Sequence, residues 1–138
     1  VFQEIARVLR IGGVYISQHK QPTSLQISHR NKRAQFVLGI EYYRSGPLPR
    51  ETDETYRETG ATEYLHRWEE LVGGLCRAGF VIEDLCEPFR ADYKVDVSHY
   101  GYRGRFIPPY VRIKARRSET ATANKEDRRL WLPKSGSP

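Results

Sequence analysis

Three polar side chains, Gln18, His19 and Lys20, directly follow an apolar segment and are closed off by Pro22. Residues 14–16 are apolar without alternation, which favours a strand over residues 14–17 that is covered on both faces, and the proline predicts a loop at its carboxyl end. Ligands of open α/β sheets bind at this edge. His19 is therefore a candidate general base, and Gln18 and Lys20 are candidate substrate-binding residues, although an ordinary polar loop has the same pattern.

A second group of candidates lies on a predicted helix that begins at Thr62, a residue type favoured at the N-cap. The apolar stripe of this helix consists of Tyr64, Trp68, Leu71, Leu75 and Ala78. His66 falls on the opposite face, where a surface imidazole needs no further role. It would reach a cleft only if the helix began later, near Trp68. Tyr64 and His66 are therefore candidate substrate-binding residues that depend on where the helix starts.

Residues 18–60 form a long insertion between predicted elements, which is typical either of a lid or of a mobile surface loop. Within it, residues 35–40 fit a strand or a short helical turn, and residues 50–58 are a charged run. Tyr42, Tyr43 and Tyr56 suit a lid, because each phenol offers an apolar face and one hydrogen-bonding tip. We expect Tyr42, Tyr43 and Tyr64 to lie near the mouth of a cleft.

Neither the histidines nor the cysteines are spaced as metal ligands. The four histidines show no ligand spacing, and Cys76 and Cys86 do not form a CxxC pair. The apolar surroundings of the two cysteines favour buried, reduced thiols over a disulfide or a metal site. We therefore expect no metal.

The charge balance raises the question of a polyanionic partner. The chain of 138 residues has 23 basic and 17 acidic side chains and a net charge of +6, which favours nucleic acid in general. Part of the excess lies near the C-terminus, where it predicts a solvated strand face and a tail rather than a shaped groove. No apolar run approaches the ~20 residues of a membrane span, and no signal peptide precedes the first helix. The expected location is cytoplasmic, without membrane or nucleic-acid partners.

Three further segments would position these residues. An apolar stripe at helical spacing predicts a helix over residues 1–9, and Gly12 supplies the left-handed stop that commonly follows a helix. Residues 80–85 predict a second strand directly after Gly79. Residues 110–116 alternate between apolar and basic side chains, which predicts a strand with one covered and one wet face.

Both ends of the chain bear on its organisation. It begins inside a helical pattern and contains no methionine. Together these features favour part of a longer chain, although processing would leave the same pattern. Residues 118–138 are polar and predict a disordered tail, in which Leu130, Trp131 and Leu132 form a small apolar patch.

Three segments together resemble the class I S-adenosylmethionine-dependent methyltransferases. Residues 4–16 resemble the helix and fifth strand of that family, residues 75–82 its next helix and sixth strand, and residues 110–116 its final strand, which runs antiparallel between the other two. Ile11 departs from the pattern, where the family usually has proline. The resemblance covers residues 1–117 and implies an α/β fold, the C-terminal part of a Rossmann-like methyltransferase with a three-stranded mixed sheet (strands 5, 6 and 7) and flanking helices.

The resemblance also implies which part of the methyltransferase site this chain would supply. In that family the cofactor S-adenosylmethionine is held by a glycine-rich turn after the first strand and by an acidic residue after the second, and this sequence contains no such motif. The chain would supply the substrate wall and the lid for a small-molecule acceptor, with no cofactor-binding residues of its own and His19 as a base. It would be inactive alone and pair with a missing N-terminal half or a homodimer partner.

Two other hypotheses stay open at this point. A non-catalytic binding or assembly module could have kept the sheet and lost the cofactor half, in which case its unpaired strand edge would need a partner. A basic nucleic-acid-associated domain is the third hypothesis.

Overall fold

The computed structural model describes residues 1–49 and 60–119. The charged run 50–58 with Tyr56, and the tail from residue 120 with its patch at residues 130–132, lie outside the described residues. The predictions made for those parts therefore stay predictions.

The first helix and strand follow the predicted order, but the strand is longer than predicted. Helix α1 spans Phe2–Val8, and Gly12 has a φ of +77° in the turn that follows. Strand β1 spans Val14–Lys20. The prediction of a loop over Gln18, His19 and Lys20 is wrong, because all three residues continue the pairing with the last strand up to Lys20 opposite Tyr110.

The main sheet has three strands in the order β1-β5-β4, where β4 spans Phe80–Cys86 and β5 spans Tyr110–Arg117. Strand β5 is antiparallel to both neighbours, which agrees with the strand directions that the resemblance implies. Strands β1 and β4 therefore point the same way, and their carboxyl ends lie at the same edge of the sheet.

One face of this sheet carries the core. Val111, Ile113 and Ala115 are fully buried, and the cluster they form continues into Leu75 and Phe80. The alternation of β5 is confirmed, since Arg112 and Lys114 are exposed.

The prediction that β1 is covered on both faces is wrong for the described part of the chain. Ile16 is 70% exposed, and on β4 the side chain of Val81 is 55% exposed. Helices α1 and α3 both pack on the other face, where Phe2 contacts Tyr15 and Gly74. The apolar run of β1 therefore did not distinguish a two-sided strand from a one-sided strand.

Of the regular elements in the region 18–60, only a strand within residues 35–40 was predicted, as one of two alternatives. Helix α2 spans Pro22–Leu25, and strands β2, Ile27–Arg30, and β3, Phe36–Leu38, form an antiparallel pair. Helix α4, Tyr100–Arg103, lies further along the chain, between β4 and β5. The buried guanidinium of Arg103 donates to the carbonyl oxygen of Ser24 at 2.7 Å, which ties α4 to α2.

The helix predicted from Thr62 begins later, at Trp68. A π-helical segment, Glu69–Gly73, continues into helix α3, Gly74–Arg77. The carboxylate of Glu70 accepts a hydrogen bond from the backbone N–H of Arg67 at 2.8 Å, which is half of a capping box and marks the true helix start.

Residues 61–67 lie outside any helix, and the part around Glu63 and Tyr64 pairs in an extended form with the insertion. The N–H of Leu48 donates to the carbonyl oxygen of Glu63 at 2.8 Å, and Pro47 bridges to Tyr64. Leu65 is buried with Leu25 and Leu48 in a second, smaller core. This packing outweighs the N-cap preference of Thr62.

Three remaining findings concern the cysteines, the membrane and metals. Cys76 and Cys86 are free, as predicted, but both are exposed, so the prediction of burial is wrong. In residues 1–49 and 60–119, no helix has the length and apolar character to cross a membrane. The same residues contain no group of three or more side chains suited to hold a metal ion.

Candidate acceptor cleft

A cleft of about 250 Å³ opens at the carboxyl end of β1. It is walled by the end of that strand, by the extended residues 62–66 and by one side chain each from α2 and the π-helical segment. Its lining residues are His19, Lys20, Leu25, Thr62, Glu63, Tyr64, His66 and Leu71. Four of the predicted site residues therefore meet here: His19, Lys20, Tyr64 and His66.

His19 is held from two sides. Its Nε2 lies 2.9 Å from the hydroxyl oxygen of Ser17, two residues earlier on the same face of β1. The ring of Phe2 packs edge-on to the imidazole, with 6.3 Å between ring centroids. The contact with Ser17 therefore engages Nε2, one of the two ring nitrogens of His19.

The surroundings of His19 favour its neutral form. Burial lowers the pKa of His19 below its usual value, and repulsion from His66 when both rings are charged lowers it further. A neutral imidazole with one free nitrogen can accept a proton from a bound hydroxyl or amine.

Lys20 closes one wall of the cleft. Its Nζ lies 3.2 Å from Oε1 of Glu63, and the ammonium stands 5.6 Å from the ring centroid of Tyr110, its partner in the sheet. The Glu63 side chain is only 12% exposed. This pair fastens the end of β1 to the extended segment, and its two charges offset each other.

The late helix start is what brings Tyr64 and His66 to the cleft. Both residues precede Trp68 and lie on the extended segment rather than on a helix face. A helix start near Trp68 is the condition under which His66 was predicted to reach a cleft, and the structure meets this condition. Tyr64 remains half exposed at the rim.

The structure does not bring three other predicted residues into the cleft. Gln18 lies on the opposite face of the sheet, where its Oε1 accepts a hydrogen bond from Nε of Arg112 at 2.8 Å. Tyr42 and Tyr43 pack edge-to-face with centroids 5.2 Å apart, and neither lines the cleft. Tyr43 is 79% exposed and is covered on one face by the guanidinium of Arg67.

Sequence analysis missed several residues of the cleft and its support. Ser17 carries a detectable signal, since a residue two positions before His19 on a strand shares its face. Glu63 was assigned to a first helical turn, and only the position of Glu70 relative to Arg67 argued for a later start. Leu25 and Leu71 reach the cleft through tertiary packing, for which the sequence carries no local signal.

Comparisons with known proteins show the fold of this chain but do not assign the chain to a family. No family model matches the sequence, and no curated protein matches it. A solved S-adenosylmethionine dependent methyltransferase from Mesorhizobium loti superposes with a TM-score of 0.59 at 21% identity, over 84% of this chain and 53% of that one. A solved structure from Listeria monocytogenes, described as a putative S-adenosylmethionine dependent methyltransferase, gives a TM-score of 0.59 at 15% identity, over 86% of this chain and 54% of that one.

The described chain thus spans about half the length of these two solved structures. At such low sequence identity, the likeness shows only that the backbone folds are similar. The chain shares its α/β fold with S-adenosylmethionine dependent methyltransferases.

Proposed function

We propose that this chain is the acceptor-binding part of an S-adenosylmethionine-dependent methyltransferase that acts on a small molecule. In this proposal β1, β4 and β5 correspond to the fifth, sixth and final strands of that family. The observation that carries it is the cleft at the carboxyl end of β1, which unites His19, Lys20, Tyr64 and His66 in a fold shared with methyltransferases.

The cleft fits an acceptor better than it fits the cofactor. Its volume of about 250 Å³ lies below the roughly 300–1,000 Å³ of pockets that enclose drug-sized ligands. Among the described residues that line it, the carboxylate is that of Glu63, which is paired with Lys20 and is not set to receive ribose hydroxyls. The described residues therefore do not fit S-adenosylmethionine.

In this proposal the residues of the cleft bind the acceptor and remove a proton from it. An acceptor hydroxyl or amine next to His19 would give its proton to Nδ1, while Nε2 donates to the hydroxyl oxygen of Ser17. Leu25 and Leu71 supply apolar walls that exclude water, and positioning of this kind carries much of the rate of a displacement reaction.

The lid proposal is retained in a narrower form. Residues 18–60 are proposed to cover the acceptor through α2 and the segment around Leu48, whose side chains form the small core beside the cleft. Tyr42 and Tyr43 would contribute to this lid only if the segment around Leu48 moved further over Arg67.

The test compares two proteins: the 138-residue chain and the polypeptide encoded by the complete reading frame. Each is incubated with S-adenosylmethionine carrying a labelled methyl group and a panel of small phenols, carboxylic acids and amines. We expect labelled product from the complete polypeptide and none from the 138-residue chain. The absence of transfer by the complete polypeptide to every acceptor, with cofactor binding absent as well, would contradict the proposal.

A further inference from the structure

We propose that a second cavity, at the carboxyl end of β4, binds an aromatic α-amino acid in its zwitterionic form. The cavity measures about 230 Å³ and is formed by two loops, residues 87–90 and residues 104–108. Among the described residues it shares no lining residue with the cleft at the end of β1. The inference therefore goes beyond the proposed function and does not depend on it.

The two loops are held together where they cross. Gly104 lies against the backbone of Arg90, and a Cβ at this position would lie 2.6 Å from the carbonyl carbon of that residue. Arg105 ties the second loop to the residues that follow the first. Its Nε donates to the carbonyl oxygen of Asp92 at 2.8 Å, and its Nη2 donates to that of Val95 at 3.0 Å. These contacts fix the walls of the cavity relative to each other.

Two exposed phenyl rings supply the apolar part of the cavity wall. The ring of Phe106 packs against those of Tyr102 and Phe36, with centroids 5.3 and 5.8 Å apart. Phe106 is nevertheless 64% exposed, and Phe89 in the other loop is 80% exposed. Exposed apolar groups gathered at a cavity are typical of a binding surface, and aromatic rings stack favourably on one another. A ligand with one aromatic ring would cover both phenyl groups.

The same wall carries one carboxylate, that of Glu87, and the guanidinium groups of Arg90 and Arg105. The guanidinium of Arg105 is engaged by the two backbone carbonyls and by the rings of Tyr93 and Tyr102, whose centroids lie 5.1 and 4.7 Å away. In residues 1–49 and 60–119, the exposed side chains of Glu87 and Arg90 form no ion pair or hydrogen bond. Both charges are therefore open to a ligand.

An aromatic amino acid matches all three features of this wall. Its carboxylate would accept hydrogen bonds from Arg90, its ammonium group would donate to the carboxylate of Glu87, and its ring would lie against Phe89 and Phe106. A dianion such as a phosphate monoester would be repelled by Glu87, and a simple amine would leave Arg90 unmatched. The volume is below the roughly 300–1,000 Å³ of pockets for drug-sized ligands, which favours a ligand with a single ring.

The experiment titrates L-phenylalanine into the ¹⁵N-labelled 138-residue chain and follows the amide signals by NMR at pH 7. We expect saturable shifts with a Kd below about 1 mM, centred on residues 87–90 and 104–108. The absence of saturable binding up to about 10 mM, or shifts centred on the cleft at the end of β1, would overturn the inference.

Analogues that each lack one group test the three contacts separately. The ammonium group is missing from 3-phenylpropionate, the carboxylate from phenethylamine and the ring from L-alanine. Each should bind at least about fivefold more weakly than L-phenylalanine. N-acetyl-L-phenylalanine amide has the ring and neither charge, and should also bind more weakly. An analogue that binds as tightly as L-phenylalanine would overturn the inference, and the amide would then indicate recognition of an aromatic residue within a protein.

Matched variants assign each contact to a side chain. Arg90→Gln and Glu87→Gln should each weaken L-phenylalanine binding about tenfold, the size of one charge-assisted hydrogen bond. Arg90→Gln should not weaken binding of phenethylamine, and Glu87→Gln should not weaken that of 3-phenylpropionate, because each analogue lacks the group concerned. Arg112→Gln is the control, since Arg112 is exposed on β5 and bonds to Gln18. Equal affinities in the three variants would contradict the proposal.

A variant of the ring contact completes the test. Phe89→Ser should weaken L-phenylalanine binding about tenfold and leave the affinity for L-alanine unchanged, because alanine has no ring to lose. If a variant fails to fold, nuclear Overhauser contacts in the unaltered chain decide. Contacts between the ligand ring and the rings of Phe89 and Phe106 support the proposal, and their absence at saturating L-phenylalanine overturns it.

Discussion

Lys20, the last residue of β1, reaches Glu63 across the cleft, with Nζ 3.2 Å from Oε1. This contact joins two segments that are 43 positions apart in the chain. It sets the width of the cleft and takes the carboxylate of Glu63 out of ligand binding. The account of the acceptor therefore depends on a contact with no local sequence signature.

Replacing Glu63 with Gln should lower the free energy of unfolding by about 1–2 kcal/mol, because it leaves the partly buried ammonium of Lys20 without its carboxylate. Urea unfolding followed by circular dichroism measures this. Glu4→Gln is the control, since the Arg7–Glu4 pair is exposed on both sides and should contribute less than about 0.5 kcal/mol. Equal losses in the two variants would argue against the pair as a brace.

The lowered pKa of His19 gives stability a definite pH dependence. The unfolded chain binds the proton more tightly than the folded chain, so protonation favours unfolding. The contribution of a neutral His19 is fully present above the unfolded pKa of 6.5 and is lost as the pH falls through that value toward the lower folded pKa. We expect His19→Gln to flatten the decline of the urea midpoint between about pH 7 and 5, and His29→Gln to keep it. A decline of the same steepness in His19→Gln would show that other groups cause it.

The two adjacent glycines of the helix should respond differently to alanine. A Cβ at Gly74 would lie 3.0 Å from Cδ2 of Phe2, whose ring also packs on Tyr15 and His19. Gly74→Ala should therefore cost about 1–2 kcal/mol through overpacking. At Gly73 the nearest atom is Nη1 at the flexible end of Arg77, so Gly73→Ala should be neutral or stabilise by up to about 1 kcal/mol. Thermal unfolding of both variants measures this difference. A Gly73→Ala variant that is less stable than Gly74→Ala would contradict the close packing at Gly74.

The exposed cysteines should react in the native state. Cys76 and Cys86 are both free and exposed. Ellman's reagent should therefore modify two thiols per folded chain at rates within about tenfold of a small free thiol. Protection of either thiol until denaturant is added would mean that it is covered in solution.

The parts of the fold that the sequence predicted are those with a strong local pattern. The alternation in residues 110–116 identified β5, and the left-handed turn at Gly12 marked the end of the first helical segment. The exposure of Ile16 was missed, because an apolar run is the same whether one face or both are covered. The extent of β1 was also missed, since the pairing of Lys20 with Tyr110 outweighed the loop character of residues 18–20.

The candidate site was predicted only in part, because it depends on where a strand ends and where a helix begins. His19 and Lys20 were identified by their place at the end of a strand, which is a positional rule of sheets. His66 depended on a helix start that Glu70, and not Thr62, determines. Gln18 was assigned to the site because a loop has no fixed face, whereas in a strand it must point away from His19.

The most direct test of the central claim is the rate of methyl transfer by the polypeptide of the complete reading frame when His19 is changed. Loss of a general base costs roughly 10²–10⁴-fold, so His19→Gln should lower kcat by at least about a hundredfold with little change in cofactor binding, and His29→Gln should leave both unchanged. A His19→Gln enzyme as fast as the His29→Gln enzyme, with every acceptor that the polypeptide methylates, would contradict the claim that the cleft at the end of β1 performs the chemistry.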